Sequence, residues 1–275
     1  MTEPVFDAWY YAHSCGRPYV RDEEWLRVFG AIADRIAADI APRTVLDAGC
    51  AIGLLVETLA AHGIDASGLD ISEYAIAQAA GAARGRCHVA SLTDELPQRY
   101  DLIVCIEVLE HMPEPQARAA LSNICRHTDD VLFSSSPQDY GEATHLNVQP
   151  PEVWAEWFAR EGFLRDLDYD ASYITAWAVR YRRRGEPVPR VVREYERALA
   201  RQAIERNELR RKVIELDRDV RRDGADAPSL REQLVAAHQR IQGLEDTVAN
   251  MQRSVFWRLR EVWVALRRLV TGGPR

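Results

Sequence analysis

The sequence has few of the features that would assign it to several common classes of protein. It contains no stretch of about 18 uncharged apolar residues, which argues against a membrane-spanning helix. Its first residues lack the basic and apolar regions of a secretory signal peptide. Lys212 is the only lysine among 35 basic residues, a bias that we attribute to codon usage rather than function.

Cysteine is also sparse, and its spacing excludes the usual metal and redox motifs. None of the five cysteines forms a CxxC pair or a zinc-ligand pattern. We therefore expect reduced thiols that serve as small buried apolar groups, in a cytoplasmic protein. The net charge of −7 argues against nucleic-acid binding by the chain as a whole. A length of 275 residues suffices for one full domain and an appendage.

One stretch, residues 45–53, combines an apolar pair, an acid and two glycines, and a helix-like run follows it. This pattern predicts a buried strand, a tight turn and a helix N-terminus, which form the ligand-binding corner of a doubly wound sheet. A dinucleotide site would need a GxGxxG turn, but here Asp47 precedes Gly49 and the middle position is Ala51. A carboxylate beside the turn repels phosphate and attracts an ammonium group. We expect a ligand with an amine and no phosphate, such as S-adenosylmethionine.

The segment Asp47–Gly53 resembles motif I of the class I S-adenosylmethionine-dependent methyltransferases, with Ala51 as a departure from the pattern. The resemblance covers residues 5–184 and is strongest to bacterial enzymes that modify cell-surface sugars. It implies a Rossmann-like α/β fold and S-adenosylmethionine as cofactor.

Alternating strand-like and helix-like segments independently predict a parallel sheet with right-handed crossovers. Together with the resemblance, they predict a doubly wound, mostly parallel seven-stranded sheet followed by a helical coiled coil. We expect residues 1–22 to be irregular, helices over 23–40 and 73–82, and a closing antiparallel pair of strands at 166–169 and 174–181. The predicted domains are an N-terminal lid or helix (1–42), a methyltransferase domain (43–184), a coiled coil (190–252) and a basic amphipathic tail (253–275).

Asp70 ends the second predicted strand about 20 residues beyond the glycine turn, where a carboxylate can accept both ribose hydroxyls. The alternative role, capping the next helix, belongs more naturally to Ser72. Asp47 is expected to orient the glycine loop through backbone N–H groups. The resemblance adds Tyr19 and Arg21, which stand in a PYxR element expected near the carboxylate of the cofactor.

The resemblance also places the adenine contact after the third strand, at Ser91 and Leu92. The run from Glu107 to Pro113 resembles the ExLEH motif that follows the fourth strand, with Glu107 near the cofactor and Val108 near its sulfur. The predicted cofactor-binding set is Tyr19, Arg21, Asp47, Gly49, Ala51, Gly53, Asp70, Ile71, Ser91, Leu92, Glu107 and Val108.

Methyl transfer to a hydroxyl requires a proton acceptor, and histidine suits that role near neutral pH. His111 in the ExLEH motif is one candidate, and the alternative is that it braces a loop. His145, in the polar loop 134–147 after the fifth strand, is an equal candidate, and a tethering hydrogen bond is its alternative. Asp139 and His145 alone do not make a metal site, so no metal is predicted.

Beyond residue 190, charged residues become frequent and apolar residues follow a heptad-like pattern. A break at 224–228 permits either a hairpin within one chain or a parallel coiled coil between chains, and we favour self-association. Residues 251–275 hold six Arg and one acid, a net charge of +5. This basic, tryptophan-containing tail favours docking on a membrane surface or glycan-assembly complex. Packing at the end of the coiled coil is the alternative.

We therefore expect a cytoplasmic methyltransferase that acts on a small or glycan-linked acceptor, and the basic tail adds the hypothesis that it lies at the inner face of the cell membrane. A sugar hydroxyl in cell-surface polysaccharide synthesis is the favoured acceptor, and a lipid-like, quinone-type metabolite is the alternative. A third hypothesis is a cofactor-binding scaffold without catalysis, but the retention of the acids and glycines argues against it.

Overall fold

A computed structural model describes residues 6–222, 232 and 235–243 of the chain. The chain divides into two units, the first ending at Gly185 and the second beginning at Glu186.

Five of the six α-helices that the structure describes in the first unit begin where the sequence supplies a side-chain cap or a proline. Asp7 accepts hydrogen bonds from Trp9 N and Tyr10 N at the start of α1, and Asp22 caps α2 in the same way. Ser72 caps α4 by accepting from Ala75 N at 3.0 Å, as predicted. The α-helices of this unit are α1 (Ala8–His13), α2 (Glu23–Asp39), α3 (Leu54–Ala61), α4 (Glu73–Ala77), α5 (Glu114–His127) and α6 (Pro151–Arg160).

Seven strands form a single sheet, which confirms the predicted fold class. They are β1 (Thr44–Ala48), β2 (Asp65–Asp70), β3 (Cys87–Val89), β4 (Leu102–Ile106), β5 (Asp130–Ser134), β6 (Phe163–Arg165) and β7 (Val179–Arg183). Their order is β3-β2-β1-β4-β5-β7-β6. The first five strands are parallel, whereas β7 runs antiparallel to both β5 and β6.

The sheet is buried on both faces, as expected for parallel strands covered by helices. One face packs against α5 and α6, and Trp154, Phe158 and Phe133 lie in its core. The other face packs against α2 and α3, with Ile36 and Leu59 buried there. The carboxyl ends of β1, β2, β4 and β5 therefore meet at one edge, where ligands bind in open α/β sheets.

Several predicted boundaries are corrected. Residues 1–22 are not wholly irregular, because Asp7 caps a short helix, α1. The helix predicted over 73–82 ends at Ala77, and a separate 3₁₀ turn occupies Gly81–Ala83, with Gly81 at φ +55°. The closing strands lie at Phe163–Arg165 and Val179–Arg183 rather than 166–169 and 174–181, because the segment between them is loop.

All five cysteines are free, and each except the half-buried Cys15 is buried, as expected for structural thiols. No helix in the described part of the chain is long and apolar enough to cross a membrane.

The second unit contains α7 (Val188–Arg222). Residues 235–243 are also helical, and Arg240 lies 3.8 Å from Glu205 of α7. The predicted break at 224–228 and the basic tail at 253–275 lie outside the described residues.

Candidate functional site

The turn between β1 and α3 requires glycine at both ends. Gly49 has φ +90°, and a Cβ there would lie 2.3 Å from Cγ2 of Val108. Gly53 has φ +79°, and its Cβ would lie 2.7 Å from the Cys87 sulfur. Between them, Ala51 adopts φ +47°, a left-handed conformation that costs a non-glycine residue roughly 1–2 kcal/mol. Strain of this kind is typical of functional turns.

The backbone N–H groups of this turn point toward the end of β2. Gly49 and Cys50 both donate to the carbonyl of Leu69, at 2.8 and 3.0 Å. Ala51 N donates to Oδ2 of Asp70 at 2.8 Å, and Ser72 N donates to Oδ1 of the same carboxylate at 2.8 Å. The side chain that orients the loop is therefore Asp70, not Asp47 as predicted, because β2 ends directly beneath the turn.

Asp47 lies beside this carboxylate at the end of β1 and is only 6% exposed. Burial, and then the negative charge of Asp70, raise the pKa of Asp47 to about 7. Burial likewise raises the pKa of Asp70, although its hydrogen bonds from backbone N–H groups oppose the shift. The buried Asp47 and the half-buried Asp70 therefore form an acidic corner that is complementary to a cation.

Aromatic side chains from the N-terminal segment cover this corner. Tyr11 is buried, and its pKa is raised by burial and by the charge of Asp70. The pKa of Tyr19 is raised by burial and by the charge of Asp47. Each tyrosine thus lies near one of the two acids. The segment is tied down where Ser72 Oγ donates to the carbonyl of Phe6 at 2.6 Å.

The remaining predicted cofactor residues have mixed positions. Arg21 does not face the acids, because its guanidinium forms two 2.8 Å hydrogen bonds with Glu57 of α3. Ser91 Oγ lies 2.7 Å from Thr93 Oγ1. Leu92 is buried in the core, whereas Ile71, just after Asp70, is exposed and could cover one face of a ligand.

Two glutamates of the ExLEH run follow β4. Glu107 adopts φ +53°, and its Oε1 accepts a 2.8 Å hydrogen bond from the indole N–H of Trp177. Glu110 is fully buried, and burial together with the charge of Glu107 raises its pKa to about 8. Glu110 is therefore mostly protonated at neutral pH. Its Oε1 accepts from Ser136 N at 3.1 Å.

Glu110 also fastens the far end of the polar loop that leaves β5. Its backbone carbonyl accepts hydrogen bonds from Leu146 N and Asn147 N, at 2.8 and 2.9 Å. This attachment brings His145 against His111, with ring centroids 4.6 Å apart. The structure thus brings together the two candidate bases, which lie 34 residues apart in the sequence.

The hydrogen bonds of the two rings determine which nitrogen is free to accept a proton. His145 Nδ1 lies 2.8 Å from the carbonyl of Asp139, which can only accept, so this nitrogen carries hydrogen. His111 Nδ1 lies 2.9 Å from Oγ1 of Thr144, and that hydroxyl donates to Glu142. His111 therefore also carries its hydrogen on Nδ1, and both rings have Nε2 as the basic nitrogen.

The surroundings of His111 make its ring a weak base. Burial, and then the charge on His145, lower the pKa of His111 to about 4. His111 is thus neutral at physiological pH and holds a proton weakly. Within the described residues, no group of three or more His, Cys, Asp or Glu side chains is placed to hold a metal ion.

Sequence reasoning missed several residues of this site. Trp177 lies in a loop 70 residues after Glu107, and no motif marks it. Thr144 and Glu142 stand in the polar loop that was singled out, but only the fold shows their contact with His111. Tyr11 belongs to an aromatic-rich segment, which was a usable signal for a cover over the corner.

Comparison with known families gives a match over much of the first unit. A family model described as a methyltransferase domain matches residues 20–166. Among curated relatives, a ubiquinone biosynthesis O-methyltransferase from Coxiella burnetii is 42% identical over 151 residues, covering 45% of this chain and 64% of the relative. One with the same name from Methylococcus capsulatus is 34% identical over 109 residues, covering 35% of this chain and 44% of the relative. The chain spans between 38% and 64% of the first five of these relatives.

Solved structures with a similar chain path include two methyltransferases. A magnesium protoporphyrin IX methyltransferase from Synechocystis, with bound SAH, is 22% identical, with a TM-score of 0.48 over 58% of this chain and 83% of that one. An amino pentose methyltransferase from Micromonospora echinaspora is 18% identical, with a TM-score of 0.49 over 67% of this chain and 100% of that one.

Proposed function

The chain belongs to the methyltransferase-domain family, and we propose that it transfers the methyl group of S-adenosylmethionine to a hydroxyl oxygen. The observation that carries this proposal is the pair of acids at the glycine turn, the buried Asp47 and the half-buried Asp70. A phosphate would be repelled there, whereas the sulfonium and ammonium groups of S-adenosylmethionine fit the negative charge.

Different residues of the corner are proposed to bind different parts of the cofactor. In this proposal the carboxylate of Asp70 accepts the ribose hydroxyls, and it also holds the turn through Ala51. Asp47 supplies negative charge toward the amino group. Tyr11 and Tyr19 cover the acids and exclude water from them. When bound, the cofactor supplies an electrophilic methyl group.

The chain's contribution to the reaction is alignment and removal of a proton. Holding two reactants in line removes several kcal/mol of the barrier, on the order of 7–11 in the best cases. The acceptor hydroxyl loses its proton as its oxygen forms the new bond to carbon, and an unprotonated imidazole Nε2 can take that proton. Both His111 and His145 present such a nitrogen. We propose that the base is one member of this pair.

Two classes of acceptor have support. The sequence resemblance and the tail favour a sugar or glycan-linked hydroxyl, as in cell-surface polysaccharide synthesis. The curated relatives are named as ubiquinone biosynthesis O-methyltransferases, which favours a quinone-type metabolite. To decide between the two acceptor classes, purified protein is offered a phenolic and a sugar acceptor, and formation of S-adenosylhomocysteine is measured for each. Turnover of only the phenol would remove the sugar proposal.

The pKa of Asp47 gives a direct test of cation binding. In the free protein this carboxyl is half-protonated near pH 7, whereas a bound cation favours its ionised form. Binding below pH 7 must therefore release a proton. We expect the affinity for S-adenosylmethionine to fall by up to about tenfold per pH unit below that value. Isothermal titration calorimetry at pH 6, in buffers of different ionisation enthalpy, should count close to one proton released.

The matched control is Asp47→Asn, which keeps the shape of the side chain and removes its titration. This variant should release fewer protons and show a flatter dependence of affinity on pH. Equal proton counts for the two proteins would show that Asp47 does not sense the ligand charge, and the acid-corner argument would then fail.

We also propose that residues 190–252 mediate self-association. α7 is amphipathic and exposes Val192, Leu199 and Ile204, which suits a helical partner. The proximity of Arg240 to Glu205 instead favours the hairpin alternative within one chain. Deleting residues 190–275 should leave a folded monomer that binds S-adenosylmethionine, while the full chain sediments as an oligomer. A monomeric full chain would remove the self-association proposal. Flotation with vesicles tests the separate proposal that the tail docks on a membrane or complex.

A further inference from the structure

A cleft of about 470 Å³ lies between α1 and the polar loop after β5. Its volume is in the range of small-molecule sites, roughly 300–1,000 Å³. None of its lining residues belongs to the glycine turn or to the two acids beside it. The residues that line it are Asp7, Trp9, Tyr10, Ser14, Glu142, Ala143 and Thr144.

The cleft adjoins the candidate base. Thr144, which lines it, has its hydroxyl oxygen 2.9 Å from Nδ1 of His111. The ring of Tyr10, another lining residue, has its centroid 6.2 Å from that of His111. A molecule in the cleft would therefore lie beside Thr144 and Tyr10, the two lining residues that contact His111.

The lining combines an aromatic face with hydrogen-bond acceptors. Trp9 is 65% exposed, and one face of its indole stacks on His13 while the other remains accessible. Asp7 uses Oδ1 to cap α1, and Glu142 uses Oε1 to accept from Thr144. The second oxygen of each carboxylate is therefore available. No Arg or Lys lines the cleft.

This chemistry selects among acceptors. Free carboxylate oxygens accept hydrogen bonds from hydroxyl groups and attract amines, and they repel phosphates and carboxylates. An accessible indole face binds the apolar face of a ring. A lipid-like phenol would need an extended apolar wall, whereas carboxylates stand on both sides of this cleft.

We propose that this cleft is the acceptor site and that it takes a single sugar ring without an anionic group, either neutral or amine-bearing. The ring packs on Trp9, and its hydroxyl or amino groups donate to the free oxygens of Asp7 and Glu142. This inference rests on the proposed function, since it supplies the acceptor for the same histidine pair.

The test uses the full chain saturated with S-adenosylhomocysteine, so that no turnover occurs. Methyl β-D-glucopyranoside, methyl β-D-glucosaminide, glucose 1-phosphate and catechol are titrated, and binding is followed by saturation-transfer NMR. The two methyl glycosides should bind, with the amine-bearing one tighter, and glucose 1-phosphate should bind at least about tenfold more weakly, a difference of about 1.4 kcal/mol.

Three variants locate the binding. Trp9→Ala, which changes an exposed side chain, should weaken both glycosides about tenfold or more. Glu142→Gln should remove the preference for the amine. Tyr140→Ala, which removes an exposed aromatic of the same loop outside the cleft lining, is the matched control and should leave binding unchanged.

Equal binding of glucose 1-phosphate, glycoside binding that survives Trp9→Ala, or binding of catechol alone would each overturn the inference. Calorimetry with S-adenosylmethionine separates it from the proposed function. Wild-type protein and Trp9→Ala should bind that cofactor equally. A wild type that binds glycosides but not the cofactor would contradict the proposed function and leave the sugar site standing.

Discussion

Replacing Asp70 with alanine is expected to weaken the binding of S-adenosylmethionine by a factor of ten or more. Hydrogen bonds to a charged group contribute about 1.5–3 kcal/mol each, and the ribose offers two hydroxyls to this carboxylate. The change also removes the acceptor for Ala51 N and Ser72 N, so the glycine turn loses its anchor to β2. Both losses lower the affinity for S-adenosylmethionine.

Calorimetry of the variant measures this loss, and Asp65→Ala provides the control. Asp65 begins the same strand at its opposite end, is exposed, and pairs with Arg86 at 3.0 Å. Its removal should change cofactor affinity little, because surface ion pairs contribute roughly 0–1 kcal/mol and it lies far from the turn. Affinity that is unchanged in Asp70→Ala would remove the ribose assignment.

Asp70→Asn separates the two effects of Asp70. An asparagine can still accept one backbone N–H through its carbonyl oxygen, but it has lost the charge. If the turn is what matters, this variant should recover most of the affinity lost with alanine. If the negative charge of Asp70 accounts for the lost affinity, the affinity of Asp70→Asn for S-adenosylmethionine should stay close to that of Asp70→Ala.

The position of Asp70 could be predicted because a periodic pattern determines it. Strands and helices alternate along residues 43–134, and parallel strands bring their carboxyl ends to one edge whatever the side chains in between. An acid that ends the strand after the glycine turn must therefore lie beside that turn. Ser72 as the cap of α4 followed from equally local chemistry.

It could not be predicted that Asp70, rather than Asp47, holds the glycine turn. Which carboxylate accepts from Ala51 N depends on where the turn lies over β2, and the alignment of β1 with β2 sets that, with Asp47 opposite Gly68. Sequence distance carries no information on this register. Likewise, Trp177 reaches Glu107 only because β7 runs antiparallel to β5 and brings its preceding loop to the same edge.

The two histidines could be identified from the sequence, but their contact with each other could not. Each was singled out by its setting, His111 in a motif and His145 in a polar loop after a strand. Their contact depends on Glu110, whose backbone carbonyl accepts from Leu146 and Asn147 and whose side chain accepts from Ser136. Glu110 stands in the ExLEH run, but nothing in the sequence indicates that it holds both ends of the loop.

The structure makes these two candidates unequal, and alanine variants should show it. A base with a pKa near 4 takes a proton poorly at neutral pH, because proton transfer is most efficient when the pKa lies near the working pH. His111 is in that state, and so we expect His145 to be the base. His145→Ala should lower turnover by about a hundredfold to ten-thousandfold, the usual size of general base catalysis.

His111→Ala should cost less than His145→Ala, since in our interpretation it removes the neighbour of the base and the attachment of Thr144 rather than the base itself. Both variants should keep their affinity for S-adenosylmethionine, because neither ring contacts the acid corner. His88→Ala, which changes an exposed histidine on the edge strand β3, is the control and should retain full turnover. A larger loss in His111→Ala would reverse the assignment.

The double variant decides whether the rings work as a unit. Residues that cooperate in one chemical step are strongly non-additive, so the double variant would then be no slower than His145→Ala. Independent roles would instead multiply the two losses. The rings lie 4.6 Å apart, and the charge on His145 disfavours a proton on His111. We therefore expect non-additivity, and full multiplication of the two losses would show that the rings act independently.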